Sequence, residues 1–263
     1  MNSNDEHTTI PTRRQHQLVE LLAARGHLTV DELAEHFGVS DDTVRRDLQL
    51  LEQRKKVLRT HGGAVAAGFM GHRETAFSHR CESQAAAKSR IGKAAAELIS
   101  DGETLVVNSG STTFAFATSL GVRRNLTIVT NNLAIPPVVT REAVQEIHII
   151  GGLYRVNLAS TIGSLARGTG GISVDTAVLG VSGLTAQKGI STSVLGEASM
   201  FAEMIASAER TIVLADATKF GRNAFAHIAP LAAVNILVTD APPSDELARA
   251  LGEANVEIVL APG

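Results

Sequence analysis

The stretch TVDELAEHFGVSDDTVRRDLQLL, residues 29–51, carries the start and stop signals of two helices joined by a short turn. Thr29 lies three residues before Glu32, which is the spacing of a capping box, and Gly38 follows the last apolar position of the first helix. Ser40 can then cap the second helix, whose first turn holds two aspartates that suit the positive end of the helix dipole. Two helices at this spacing predict a helix-turn-helix motif.

The second of these helices has an apolar side and a polar side. Val44, Leu48 and Leu51 recur at helical spacing and predict the side that faces the core. The opposite side carries groups that can donate to base edges or phosphates in a major groove. The alternative is that its two arginines only solvate a surface helix and pair with Asp42 or Gln49. Together with the residue that begins the helix, the candidate DNA-binding residues are Ser40, Thr43, Arg45, Arg46 and Gln49.

The sequence on both sides of residues 29–51 completes a small domain. On the amino side, Leu18, Leu21 and Leu22 form an apolar stripe that predicts one more helix. On the carboxyl side, polar and apolar residues alternate in KKVLRTHGGA, residues 55–64, well enough to indicate a short β-ribbon. A ribbon at this place predicts a winged helix-turn-helix. The wing residues expected to lie near the DNA backbone are Lys55, Lys56, Arg59 and His61.

The charge of the chain limits where nucleic acid can bind. The chain has 263 residues and a formal net charge of −3, so it is no general binder of polyanions. Six basic residues nonetheless lie between Arg45 and Arg59, against only two acidic ones, Asp47 and Glu52. Contact with DNA is therefore expected from this local basic patch.

Cysteine content and hydropathy indicate the compartment. Cys81 is the only cysteine, which excludes an internal disulfide and favours a reducing environment. The polar start of the chain and the lack of about eighteen consecutive apolar residues give no support for export or membrane insertion. We therefore expect a cytoplasmic protein, and nothing in the sequence indicates a cofactor or a metal.

Beyond residue 84, strand-like and helical segments alternate. The apolar runs are TLVVN, LTIVT, EIHII, TAVLG, TIVLAD, NILVTD and VEIVL, and segments with helical patterns, such as 85–99 and 197–208, separate them. This alternation predicts an α/β domain with a mainly parallel sheet covered on both faces. The expected organisation is a winged helix-turn-helix domain over 1–61, a linker over 62–84 and an effector domain over 85–263. Within the linker, Glu74 and Arg80 are interpreted as members of ordinary interdomain salt bridges without a ligand role.

Polar and glycine-rich loops follow the strands of this sheet. In VVNSGSTTFAFATSL, residues 106–120, an apolar strand leads through hydroxyl residues and glycine into a helix, whose first N–H groups suit a phosphate. Any one such loop is also common in α/β proteins that bind no ligand there. Because ligands of these sheets bind beyond the carboxyl ends of the strands, the loops are expected to meet in one site that suits a phosphorylated sugar. The candidate ligand-binding residues are Asn108, Ser109, Gly110, Ser111, Thr112, Thr113, Asn131, Asn132, Gly151, Gly152, Asp175, Lys188, Glu197 and Lys219.

Both parts of the chain resemble one protein family. LTVDELAEHFGVSDDTVRRDLQLLE followed by LRTHGGA resembles the N-terminal module of the DeoR-type bacterial transcriptional repressors. The chain from about residue 82 onward resembles their sensor domain, whose fold is similar to ribose-phosphate isomerases and CoA transferases. The resemblance implies that the SGSTT loop cradles the phosphate of a sugar-phosphate inducer. Around the rest of the ligand it places Asn131, Asn132, Gly151, Gly152, Asp175 and Lys219.

The sensor domain departs from the family pattern at three positions. Asn108 stands where the family commonly has Asp, and Phe201 and Ala202 stand where it has a Lys-Arg pair. The loss of a carboxylate and a cation is expected to change which ligand fits, in the direction of a less charged one.

The preferred hypothesis is a ligand-gated repressor. A symmetric oligomer holds two recognition helices on a pseudopalindromic double-stranded operator, and the ligand favours a state in which their spacing is wrong. The alternative is a sugar-phosphate isomerase that uses Glu197 or Asp175 as general base and Lys188 to steady developing charge. An isomerase has no need of a helix-turn-helix, and a purely architectural DNA-binding protein has no need of the polar loops.

Overall fold

The computed structural model describes residues 9–25, 28–54, 56–60, 62–66, 76–165 and 171–262. The chain divides into two compact units, Met1–Glu74 and Thr75–Gly263. Each unit has a buried apolar core of its own, which contains Leu22 and Leu48 in the first unit and Phe116 in the second.

The described residues of the first unit form three helices and a small sheet. Its elements are α1 (Thr9–Arg25), β1 (Leu28–Thr29), α2 (Val30–Phe37), α3 (Asp41–Gln53), β2 (Val57–Thr60) and β3 (Gly63–Ala66). The predicted capping box is confirmed, since Thr29 Oγ1 accepts from Glu32 N at 3.2 Å and the Glu32 carboxylate accepts from Thr29 N at 2.8 Å. Gly38 ends α2 with a left-handed φ of 62°, and the Ser40 hydroxyl caps α3 by accepting from Thr43 N. These caps set the turn between α2 and α3.

A buried aspartate ties the third helix to the first. Asp47 on α3 is only 4% exposed, and its carboxylate accepts from Arg14 Nε at 2.7 Å and from Gln15 Nε2 at 2.9 Å, both on α1. A buried carboxylate with two such partners is strongly oriented. The contact holds α3 so that its polar side stays outward.

The wing extends further along the chain than the sequence predicts. Strand β3 pairs antiparallel with β2 from Thr60↔Gly63 to Val57↔Ala66, and β1 joins the free side of β3. The glycine pair at 62–63, which ends the predicted ribbon, lies at the turn of this hairpin, so the boundary expected after residue 61 falls inside the wing. The predicted linker of residues 62–84 therefore contains one wing strand and also a helix that belongs to the second unit.

The second unit is an α/β fold built on a parallel sheet. Its helices are α4 (Phe77–Glu82), α5 (Ala85–Glu97), α6 (Ser111–Thr118), α7 (Leu195–Ala206) and α8 (Asp245–Glu253). Its strands are β4 (Thr104–Val107), β5 (Leu126–Thr130), β6 (Val144–Ile149), β7 (Leu153–Arg155), β8 (Ser160–Ile162), β9 (Val174–Gly180), β10 (Gly183–Thr185), β11 (Gly189–Thr192), β12 (Ala208–Leu214), β13 (Ala226–Ala229), β14 (Ile236–Thr239) and β15 (Glu257–Leu260).

Seven strands form the parallel sheet in the order β15-β14-β12-β9-β4-β5-β6. All of its pairings are parallel, and its strands are the seven apolar runs that the sequence analysis selected. One face packs on α5 and α6 through Ile91 and Phe116, and the other packs on α7 through Met200, Phe201 and Met204. The parallel arrangement brings the carboxyl ends of all seven strands, and the loops that follow them, to one edge.

Two small antiparallel sheets stand beside the main one. Strands β10, β11 and β13 form one, and the β7-β8 hairpin forms the other. Their strands have three or four residues and mixed polarity, so no apolar run marks them in the sequence. They place additional polar side chains near the carboxyl edge of the main sheet.

Candidate functional site

The exposed side of α3 carries most of the predicted DNA-binding residues. The Arg45 side chain is 56% exposed, and its guanidinium lies 3.6 Å from Asp42 Oδ1 and 4.0 Å from Asp41 Oδ2. The predicted alternative pairing with Asp42 is therefore present. Exposed ion pairs of this kind contribute little free energy and leave the guanidinium accessible to another anion. At the start of the helix, the hydroxyl groups of Ser40 and Thr43 form a hydrogen bond with each other, 3.0 Å apart.

Arg46 and Gln49 are exposed on the same helix, and Lys56 and Arg59 are exposed at the wing. The Arg59 backbone N–H donates to Glu52 Oε1 at 3.4 Å, which joins β2 to the end of α3. Basic groups therefore flank the helix-turn-helix. The remaining two predicted residues, which lie outside the described part of the chain, are Lys55 and His61.

The start of α6 is the position at the carboxyl edge of the sheet that best suits a bound anion. Gly110 precedes the helix, and no side chain caps it, so the N–H groups of Ser111 and Thr112 lack intrahelical partners. Thr113 has a structural role, because its buried hydroxyl donates to Asn108 O at 2.8 Å within the loop. The helix start can thus receive an anion through its backbone.

Asn108 belongs to the sheet rather than to the open part of the site. Its Nδ2 donates to Gly180 O at 2.8 Å, and its Oδ1 accepts from Gly180 N at 2.8 Å. The side chain thus continues the pairing of β4 with β9 by one step. Phe201 is also only 2% exposed and packs in the apolar core. The side chains of Asn108 and Phe201, which differ from the family pattern, thus both lie inside the fold and do not line the open part of the site.

A buried polar network adjoins this loop. Glu197 on α7 is 6% exposed and accepts from Ser109 Oγ at 3.1 Å and from Thr192 Oγ1 at 2.9 Å. Asn131 Nδ2 donates to Ser109 Oγ at 3.1 Å, while its Oδ1 is buried without a hydrogen-bond partner. Burial raises the pKa of Glu197, and the hydrogen bonds from Thr192 and Ser109 oppose that rise. A ligand hydroxyl could donate to the free amide oxygen.

Other predicted residues at this edge serve mainly to shape it. Asn132 Oδ1 accepts from Ala134 N at 3.1 Å, so its side chain stabilises the turn after β5. Gly152 adopts a φ of 137°, and a Cβ there would lie 2.1 Å from Ile162 O. Its neighbour Gly151 is exposed in the same strand-to-hairpin connection. Both glycines allow the β7-β8 hairpin to fold back closely.

Asp216 and Lys219 follow β12 at the same edge. Asp216 is 1% exposed and its Oδ1 accepts from Thr218 N at 3.1 Å. Lys219 Nζ lies 3.6 Å from Asp216 Oδ2, which is buried and accepts no hydrogen bond. Asp216 was not predicted as a site residue, although it directly follows an apolar run, as the predicted polar loops do.

Two predicted residues do not join the site. Asp175 lies at the amino end of β9, on the opposite edge of the sheet, where its carboxylate accepts from Thr104 N at 2.7 Å. The prediction failed because the aspartate begins its apolar run instead of following it. Lys188 lies at the exposed tip of the β10-β11 hairpin, and its backbone N–H donates to Thr185 Oγ1.

Two cations near this edge were not predicted to belong to the site, since Arg80 was given no ligand role and Lys88 was not singled out. Arg80 on α4 faces the Glu197 charge, and its Nε is buried without a hydrogen-bond partner. Burial lowers the pKa of the Arg80 guanidinium, and Glu197 acts in the opposite direction. Lys88 on α5 is 5% exposed. Arg80 therefore faces a partner inside the second unit, whereas an interdomain salt bridge was expected; the accompanying Glu74 lies outside the described residues. No pattern in the sequence marks Arg80, and the helical pattern of residues 85–99 does not show that Lys88 is buried.

Within the described ranges, no group of three His, Cys, Asp or Glu side chains is placed to hold a metal ion. The helices of that part of the chain also include none that is long and apolar enough to cross a membrane.

Comparison with known proteins gives matches over both units. The family described as the DeoR-like helix-turn-helix domain matches residues 14–68, and the DeoR C terminal sensor domain matches residues 83–241. The chain is 31% identical over 250 residues to the glycerol-3-phosphate regulon repressor of Escherichia coli K12, a match that covers 95% of this chain and 98% of that protein. It is 34% identical over 229 residues to the transcriptional repressor AccR of Agrobacterium fabrum, covering 86% and 88%.

Solved structures match the chain in part. A D-ribose-5-phosphate isomerase in complex with phospho-erythronic acid aligns with a TM-score of 0.37 at 20% identity, covering 51% of this chain and 52% of the isomerase. The beta subunit of eIF2B from Chaetomium thermophilum aligns with a TM-score of 0.43 at 16% identity, covering 64% and 52%.

The sensor-domain match alone covers more than half of the chain, and relatives above 30% identity span nearly all of it. Those relatives are transcriptional regulators and not enzymes, which removes the isomerase alternative. The capped helix-turn-helix and the α/β unit therefore form one DNA-binding transcriptional regulator, and this chain belongs to the DeoR family.

Proposed function

We propose that the protein is a repressor that binds operator DNA through its first unit and releases it when a phosphorylated sugar or polyol binds to its second unit. The uncapped start of α6, set beside buried polar side chains at the carboxyl edge of the sheet, is the observation that carries the ligand half of this proposal. The DNA half follows from the exposed arginines of α3 and the basic wing.

The charges around the α6 start favour an anion. The free N–H groups at Ser111 and Thr112 carry the positive end of the helix dipole. Lys219 is held at the same edge by Asp216, and Arg80 Nε is a buried donor without a hydrogen-bond partner. A phosphate can satisfy these donors, whereas a neutral ligand leaves them without a charged partner.

The rest of the site favours a hydroxylated ligand. Ser109, Asn131 and Glu197 form a buried network with one amide oxygen still free. Hydroxyl groups both donate and accept, so they can complete such a network. The name of one relative, the glycerol-3-phosphate regulon repressor, is consistent with a phosphorylated polyol as the effector.

We further propose that two or more copies act together in the cytoplasm on a pseudopalindromic operator. Each chain has one recognition helix, and helix-turn-helix proteins read paired half-sites as symmetric dimers. The ligand then needs to favour a state in which the two helices no longer fit the half-sites.

The test is DNA binding by the purified full chain. A duplex from upstream of its own gene is titrated at fixed salt, without ligand and with glycerol 3-phosphate, glucose 6-phosphate, fructose 6-phosphate and the free polyols. Release by one phosphorylated compound, and not by its free counterpart, supports the proposal. Release only by unphosphorylated compounds would contradict the anion site, and tight DNA binding that no compound of the panel alters would contradict the ligand half.

A further inference from the structure

Helix α4 is the element through which the chain enters the second unit. It spans Phe77–Glu82, has no buried residue and has no side-chain cap at its N-terminus. A helix of six residues is not stable in water on its own, so contacts from outside must hold it in place. Such an element is easily repositioned when a contact is lost.

One contact joins α4 to the helix that begins the candidate ligand site. The ring of Phe77 meets the ring of Phe114 on α6 edge to face, with centroids 5.5 Å apart. Phe114 lies one turn after the uncapped start of α6. The amino end of α4 is therefore attached to the anion-binding helix itself.

A second contact holds the other end of α4. The Lys88 ammonium on α5 donates to Arg80 O at 2.6 Å and to Ser83 O. These carbonyl groups lie in the last turn of α4 and just beyond it. Carbonyl groups at the end of a helix receive no hydrogen bond from an N–H group of the same helix. Lys88 thus takes the place of a C-terminal cap for α4, although it comes from the next helix.

The charges that act on Lys88 belong to the candidate site. Asp216 attracts the Lys88 ammonium and Lys219 repels it, while Arg80 and Cys81 also face it from α4. Asp216 in turn has Lys219 Nζ at 3.6 Å from its Oδ2, an oxygen that accepts no hydrogen bond. One buried carboxylate therefore pairs with Lys219 and attracts Lys88, the lysine that holds α4.

We propose that Lys88 transmits ligand binding to α4: an anion that pairs with Lys219 leaves Asp216 to Lys88, whose ammonium then moves away from the carbonyl groups that hold α4. Release of α4 frees the first described element of the sensor unit, and we expect this change to weaken DNA binding. Lys88 is thus a positioning residue for α4. This inference rests on the proposed function, because it explains how the sugar-phosphate site reaches DNA.

A tryptophan reporter and three lysine variants test the inference. The chain contains no tryptophan, so Phe77→Trp gives α4 a single fluorescent probe. In that background, Lys88→Met removes the donor at similar length, and Lys88→Arg keeps the charge and the donors. Lys93→Met is the matched control, because Lys93 is exposed on the same helix. Emission and affinity for the upstream duplex are measured with and without saturating glycerol 3-phosphate or whichever sugar phosphate of the panel acts.

The emission of ligand-free protein tests the Lys88 contact without any effector. We expect Lys88→Met to shift the emission maximum to the red, since α4 is released, and Lys93→Met to leave it unchanged. Equal emission from the two variants would overturn the inference. This comparison remains decisive even if no sugar phosphate acts on the native chain, an outcome that contradicts the proposed function alone.

The response to ligand then tests the coupling. A coupling free energy of ordinary size makes the effector weaken DNA binding by about 5- to 150-fold in the reporter background. We expect Lys88→Met to reduce this response to less than about twofold while the sugar phosphate still binds, and Lys88→Arg to restore most of it. A full response in Lys88→Met, or loss of sugar-phosphate binding itself, would show that Lys88 does not act through α4.

Discussion

Glu197 is a carboxylate that the fold removes from water. It is 6% exposed, and burial is the main reason that its pKa is raised above the ordinary value of 4.5. Hydrogen bonds from Thr192 and Ser109 and the charges of Arg80 and Arg155 only partly compensate. The site therefore contains an acid whose charge is destabilised by its surroundings and whose oxygens are held in fixed positions.

Replacing this acid should change the pH dependence of stability. Because the folded protein holds the Glu197 proton more tightly than the unfolded chain, the stabilisation from this group is complete below pH 4.5 and is lost as pH rises through the folded pKa. Relative to wild type, Glu197→Gln should thus gain free energy of unfolding as pH rises through that window. Urea unfolding followed by circular dichroism at several pH values measures the difference. The exposed Glu97→Gln serves as control, and parallel curves for wild type and Glu197→Gln would contradict the assignment.

Of the two arginines on α3, Arg45 forms ion pairs with Asp41 and Asp42, whereas among the described residues no such ion pair engages Arg46. Arg46→Ala should weaken specific DNA binding by about 1–3 kcal/mol if the guanidinium reads a base edge. Affinity for the upstream duplex and for an unrelated duplex, at one salt concentration, measures this change. A loss confined to the upstream duplex indicates base reading, whereas an equal loss on both indicates a phosphate contact. Arg141→Ala, an exposed arginine of the second unit, is the charge control.

At the scale of elements, the angle between α2 and α3 depends on a turn of three residues. Gly38 takes the left-handed conformation that lets α2 end, and Ser40 begins α3 immediately afterwards. Asp47 then fixes α3 against α1 through Arg14 and Gln15. The recognition surface is thus positioned by local caps together with one buried ionic contact.

A pair of glycine variants tests the role of this turn. Gly38→Ala should destabilise the DNA-binding unit by about 1–2 kcal/mol, because a Cβ is disfavoured at a φ of 62°. Gly252→Ala on α8 should instead stabilise the sensor unit by about 0.5–1 kcal/mol, since the position is helical and open. Urea unfolding of both variants gives the two values. Equal effects from the two substitutions would show that backbone conformation is not the cause.

At the scale of the whole molecule, the two units divide recognition from sensing. Each has its own core, so a change at the ligand site can leave the helix-turn-helix folded. The sensor unit then influences DNA only through what the ligand does to the arrangement of the units.

Lys219→Ala should separate the two roles. DNA binding without effector should persist and fall by no more than the effector itself causes, because Lys219 lies in the sensor unit and its loss leaves Asp216 to Lys88 as a bound anion does. Sugar-phosphate affinity should fall by about ten- to a hundredfold, the usual effect of losing a hydrogen bond to a charged group. Titration of the effector into the protein–DNA complex measures both. Abolished DNA binding in the absence of effector would contradict the division of labour.

The sequence by itself determined the local features of this protein. The capping box, the glycine that ends α2, the apolar side of α3 and the seven strands of the main sheet were all predicted, because each depends on propensity or spacing within a short stretch. The loops at the carboxyl edge were predicted for the same reason, once a parallel sheet was expected.

Only the tertiary structure decided which side chains meet. Asp175 lies at the other end of its strand from the site, and the Asn108 side chain pairs with Gly180. The helical pattern of residues 85–99 did not show that Lys88 is buried, and no pattern marked Arg80. Long-range contacts such as Glu197 with Ser109 depend on how strands are ordered and how helices cross them. Strand order and helix crossing follow from the packing of the whole core, and no local spacing in the sequence records them.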